Sequence, residues 1–139
     1  MAVAAVAVLS AALCLSAGSA PLASVAAITT TQFTLRWQHS IEKVAWEEDY
    51  LVAGGWLLLS GARIRGSGAG MEPPADALLQ DGVWHYRAAD PWRRSLVLAR
   101  SEFVRDYELC VHENCQPMSH WIPIAAGATT LQACAAQQK

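Results

Sequence analysis

The densest concentration of reactive side chains lies between Gln38 and Tyr50, where His39, Ser40, Glu42, Glu47, Glu48 and Asp49 crowd one short stretch. A histidine beside a carboxylate is the raw material for general base catalysis, for metal ligation, or, with a guanidinium nearby, for binding an anion. Ser40 next to His39 invites a nucleophile-and-base reading. Adjacent residues on a strand, however, point to opposite faces and cannot hydrogen-bond in that way. No Gly-x-Ser-x-Gly elbow occurs either, since Gly66-Ser67-Gly68 is too short for one. The stretch therefore carries reactive groups without an assembled catalytic motif.

The elements that must position these groups are strands. Phe33, Leu35, Trp37, His39 and Ile41 alternate with Thr34, Arg36, Gln38, Ser40 and Glu42, which is the period of a half-buried strand. A second run follows, with Val44, Trp46, Glu48, Tyr50 and Val52 on one face and Ala45, Glu47, Asp49 and Leu51 on the other. A tight turn around Glu42 and Lys43 would set residue 39 opposite 46 and pair Arg36 with Asp49 on the polar face. On that register His39 lies diagonally across from Glu48, and the Gly54-Gly55 hairpin sets Arg63 opposite Trp46 on the same face. His39, Glu42, Glu48, Tyr50 and Arg63 are accordingly the candidate ligand-binding residues, for an anionic solute, a metal or an acid/base reaction. The competing reading is a mutually satisfied polar pair that braces a strand-rich core.

Further along, Gly54-Gly55 and Asp81-Gly82 are two-residue hairpin signals, because both positions of such turns need positive φ. Trp56 to Ile64 reads as a central strand with apolar residues on both faces. Gly66-Ser67-Gly68-Ala69-Gly70 breaks the pattern. It lacks the Lys-Ser or Lys-Thr of a phosphate-binding loop, though backbone N–H groups around Gly68 and Gly70 could form an anion nest. Asp90-Pro91 marks a turn, and Ser95–Ala99, Val104–Val111 and Cys115–Ile122 read as strands, the last an edge because of Pro117. The expectation is an all-β domain, an antiparallel sandwich or small barrel of about seven short strands.

The chain has 139 residues, 53% of them hydrophobic, and a net charge of -2 with the charges scattered, which argues against a nucleic-acid binder. Residues 1–27 are almost entirely small and apolar, with Val3 to Leu15 as a hydrophobic run and small residues near 24–27, the pattern of a signal peptide. With no Lys or Arg near Met1, a retained membrane anchor is the other form of this segment. Export, with the domain either free or membrane-tethered, follows. Residues 28–125 then form the β domain, and residues 126–139 read as a flexible tail. In an oxidising compartment Cys110 and Cys115, opposed across a hairpin tipped by His112-Glu113, are expected to form a disulfide. A metal site from Cys110, His112, Cys115 and His120 fits no standard spacing, so neither metal nor cofactor is expected. Cys134 has no evident partner.

His39-Ser40-Ile41-Glu42, Glu48-x-Tyr50 and Gly68-Ala69-Gly70-Met71, in that order, resemble a bacterial and archaeal family catalogued as domain of unknown function 1850. The resemblance spans Phe33 to Pro117, although Ala45 stands where that family has proline. Members often lie beside, or are fused to, permeases of TAXI-type tripartite ATP-independent periplasmic (TRAP) transporters. The resemblance thus implies an exported accessory domain, periplasmic or membrane-anchored facing the periplasm, whose partner is a permease or solute-binding subunit. A small exported metal-dependent or acid/base enzyme using His39 and Glu48 is the alternative.

Overall fold

Alternating apolar and polar residues build almost the whole molecule from antiparallel strands. The computed structural model describes residues 10–17, 24–38, 44–66, 75–124 and 127–136. In chain order the strands are β1 (Ser10–Ala17), β2 (Ser24–Thr29), β3 (Gln32–Gln38), β4 (Ala45–Ala53), β5 (Trp56–Arg65) and β6 (Leu78–Gln80). They continue with β7 (Val83–Tyr86), β8 (Trp92–Arg93), β9 (Ser95–Ala99), β10 (Glu108–Val111), β11 (Asn114–Pro117) and β12 (Ala128–Ala136).

Two sheets result. One has eight strands in the order β11-β10-β3-β4-β5-β7-β6, with β8 also paired to β5, and the other has four in the order β2-β1-β12-β9. Neither closes into a barrel. A single core lies between them: Leu13, Leu15, Leu98 and Leu131 of the smaller sheet pack in one cluster with Phe33, Leu35, Tyr50, Leu57 and Leu109 of the larger. Such burial of large apolar side chains is the main stabilising term of a domain this size.

The hairpins form where the sequence signals them. Gly54 and Gly55 have φ of 57° and 83°, and Asp81 and Gly82 have 52° and 77°. The β10–β11 tip is different, because His112 and Glu113 both hold positive φ, at 51° and 68°, without being glycine. Side chains there meet the adjoining backbone, so this turn carries strain that the flanking strands must hold.

The strand count is corrected, and both ends of the described chain take part in the sheets. The reading of about seven strands is too low: twelve occur among the described residues, because β6 and β8 are very short and because both ends of the chain contribute. Residues 126–139, read as a flexible tail, contain β12, which runs between β1 and β9. Residues 1–27, read as a leader or anchor, contain β1 and most of β2, with Leu13 and Leu15 wholly buried. A run of small apolar residues suits a buried strand as well as a hydrophobic leader, and β1 pairs with β12 from Ser10↔Ala136 to Ala17↔Thr129. Among the described residues no helix is long and apolar enough to cross a membrane.

Candidate functional site on the eight-stranded sheet

One face of the larger sheet lines the core, and the other carries its charge. The register sets Glu108 of β10 against Arg36 of β3, Arg36 against Glu47 of β4, Glu47 against Arg63 of β5, and Arg63 against His85 of β7. Residues opposite one another on antiparallel strands share a face, so the result is one transverse row of alternating charge.

The row is tightly joined. Arg36 lies 3.3 Å from Glu108 and 3.8 Å from Glu47, and Arg63 lies 3.5 Å from Glu47. Arg63 also grips Asp49 with two hydrogen bonds of 2.5 and 2.8 Å, and the Thr34 hydroxyl donates to the same carboxylate at 2.7 Å. Arg65 donates to the other oxygen of Glu47. Glu47 is only 7% exposed, and three guanidiniums surround it.

The protonation states follow from these contacts. Burial by itself would raise the pKa of Glu47, but the Arg65 hydrogen bond and the charges of Arg65, Arg63 and Arg36 outweigh it and hold the group below the usual carboxylate value. The Arg63 hydrogen bonds do the same for Asp49, against the opposing effect of burial. Both carboxylates are thus ionised at neutral pH.

Beside this row, where the chain leaves β7 for β8, a cleft of about 390 Å3 opens. Arg63, His85 and Arg87 line it with Tyr86, opposed by Asp76, the one carboxylate among the described residues that line it. Arg63 is committed to Asp49 and Glu47, whereas Arg87 is exposed. The cleft can therefore receive a negatively charged group, Arg87 and His85 supplying donors.

The sequence candidates separate. Glu48 and Tyr50 lie on the opposite, core-lining face, where the Tyr50 hydroxyl donates to Glu48 at 3.0 Å. Burial raises the pKa of Glu48, the Tyr50 hydrogen bond and the Arg93 charge countering only part of it. Arg63 does not join them, because Ser60 is an extra residue in β5: Tyr50 pairs with Leu59 but Asp49 with Gly61. This β-bulge shifts the pairing by one and turns Arg63 from Trp46 to Glu47, away from the core. The Arg36–Asp49 pair is likewise replaced, since β3 and β4 pair as Arg36↔Glu47 and Trp37↔Trp46, two residues off the tight-turn register. A two-residue shift keeps each side chain on its face, so the inward set was read correctly while its partners were not. His39, Glu42, Gly68 and Gly70 lie outside the described residues. Cys110 and Cys115 are opposed and disulfide-bonded.

Sequence reasoning passed over three features. Cys14 bonds to Cys134, 120 residues away, so all four cysteines are paired. Arg100, 6% exposed, holds Asp106 through two 3.0 Å hydrogen bonds and donates to the Ile122 carbonyl and the Thr129 hydroxyl. Burial opposes ionisation of Asp106, but Arg100 and the Ser119 and Tyr107 amides hold its pKa below the usual value. Glu47 as the hub of the charge row is the third, and the period-two alternation of Glu47-Asp49 against Arg63-Arg65 is the signal that pointed to it. No grouping of three or more His, Cys, Asp or Glu suited to a metal occurs among the described residues.

The fold and this face define a small, disulfide-bonded, all-β domain with a charged sheet surface. A family model described as a domain of unknown function, DUF1850, matches residues 33–118, and the chain belongs to that family. The match begins at the second residue of β3 and ends just after β11, and so takes in the whole charge row. Comparison with curated proteins and with solved structures found no match.

Proposed function

We propose that the protein is an exported accessory domain of a TAXI-type TRAP solute transporter, and that it engages an acidic surface of a transporter subunit through the cleft beside the charge row. The observation that carries this reading is the cleft itself, where Arg87 and His85 stand beside an Arg63 already neutralised by its own carboxylates. An exposed guanidinium just past the end of β7, with no partner among the described residues, is a suitable anchor for a carboxylate-bearing partner. A small anionic solute is the second occupant that this chemistry suits. Two disulfides support an oxidising compartment, of which the periplasm is the form that fits the family resemblance.

Deleting the gene and measuring uptake of TAXI-type substrates tests the role. Uptake should fall and return with the wild-type gene, but not with an Arg87→Glu variant that accumulates normally. Unchanged uptake of every such substrate would contradict the transporter assignment.

A further inference from the structure

The two disulfides differ in what they hold. Cys14–Cys134 ties β1 to β12 in the middle of the smaller sheet across 120 residues, whereas Cys110–Cys115 spans five residues within one hairpin. Closing a long loop removes far more freedom from the unfolded chain than closing a short one. On chain-entropy grounds the two bonds differ in their effect on folding by about a hundredfold in the equilibrium constant. The hairpin bond is therefore dispensable to the fold in a way that the other is not.

Its surroundings suit exchange instead. Cys115 is exposed on β11, the edge strand of the larger sheet, while Cys14 and Cys134 are half-buried. The Arg36 guanidinium lies 4.0 Å from the Cys115 sulfur, where it favours the thiolate form against the opposing charges of Glu108 and Glu47, with which it also pairs at 3.3 and 3.8 Å. The bond also closes the hairpin whose His112-Glu113 tip sits in the left-handed region, and whose His112 Nε2 lies 3.1 Å from the Thr29 carbonyl on β2. Opening it would release a strained tip that bridges the two sheets.

We propose that Cys110–Cys115 is a thiol–disulfide exchange site for a dithiol, either a small molecule or a dithiol oxidoreductase. In the first step a dithiol thiolate bonds to the Cys115 sulfur, the Cys110–Cys115 bond breaks, and Cys110 takes the electron pair and a proton. In the second, the remaining thiol of the dithiol attacks its own partner sulfur in the mixed disulfide, and Cys115 leaves as a thiolate beside Arg36. The dithiol ends as a disulfide and the two cysteines end reduced, a balanced two-electron exchange. The reverse sequence re-forms the bond, with exposed Cys115 as the attacking nucleophile.

The test is to treat the oxidised full chain with graded dithiothreitol, alkylate with iodoacetamide, and locate the labels by mass spectrometry while following circular dichroism. Labels on Cys110 and Cys115 alone, with the folded spectrum retained, are expected at concentrations that leave Cys14–Cys134 intact. If Cys110–Cys115 opens only together with Cys14–Cys134, or only as the spectrum collapses, the proposal is overturned. In the reduced protein the pH profile of Cys115 alkylation separates the electrostatic role of Arg36 from a structural one. Arg36→Gln should move that profile to higher pH and Arg36→Lys should largely restore it, whereas identical profiles for all three proteins would remove Arg36 from the mechanism.

Discussion

Arg63 faces Glu47 at 3.5 Å, and it does so because Ser60 is an extra residue in β5. Without that bulge the Gly54-Gly55 hairpin would carry Arg63 and Arg65 to the core face and bring Ala62 and Ile64 out to solvent. Ala62 and Ile64 are instead 2% and 1% exposed. The bulge thus decides which side chains of β5 beyond Ser60 face solvent and which face the core.

Deleting Ser60 removes the extra residue itself, so Leu59 and Gly61 follow one another opposite Tyr50 and Asp49, Arg63 stays opposite Glu47, and the variant should still unfold cooperatively with its charged and core faces unchanged. Ser60→Ala keeps the chain length and removes only the hydroxyl hydrogen bond to the Asp49 carbonyl at 3.1 Å. That variant should lose no more than about 1 kcal/mol in a urea denaturation series. A deletion mutant that fails to unfold cooperatively would contradict the assignment of Ser60 as the extra residue.

What was legible in the sequence, and what was not, follows the range of each signal. Hairpins marked by Gly54-Gly55 and Asp81-Gly82 were readable because a positive φ is a local demand. The inward face of Phe33, Leu35, Trp37, Trp46, Glu48 and Tyr50 was readable because alternation is local too. The bulge leaves a weaker mark: Gly61 inside a strand run is a residue at which bulges occur, but it does not fix the shift in pairing that moves Arg63 to the other face. The smaller sheet was invisible for the opposite reason, as β1 and β12 become strands only by finding each other across most of the chain. Cys14 and Cys134 were the one available clue to that pairing.

Glu48 should give the stability a distinctive pH dependence. Its folded pKa is raised, so the unfolded chain ionises it first, and its contribution falls as pH climbs from the ordinary carboxylate range, about 4, through the folded value. Glu47, Asp49 and Asp106 act in the reverse sense, because their folded values are lowered. Their contribution is complete above the ordinary carboxylate range and is lost as pH falls from that range through the lowered folded values. Glu48→Gln should therefore gain stability relative to wild type as pH rises from 4 toward neutrality, measured by denaturation midpoints at each pH. A constant difference between the two proteins would show that Glu48 is not desolvated.

The disulfides should separate in equilibrium denaturation. Replacing Cys14 and Cys134 by serine should cost about 5 kcal/mol, and replacing Cys110 and Cys115 about 2 kcal/mol. Equal losses would mean that the terminal strands are not joined in the manner described.

Binding of the solute-binding subunit of a TAXI-type TRAP transporter to the immobilised domain, by surface plasmon resonance, tests the central claim most directly. The wild-type domain should bind it, the affinity should fall with added salt, and Arg87→Glu should weaken it at least about tenfold. Equal affinity for wild type and Arg87→Glu, or no binding of the subunit by the wild-type domain, would contradict the assignment of the cleft as the docking site.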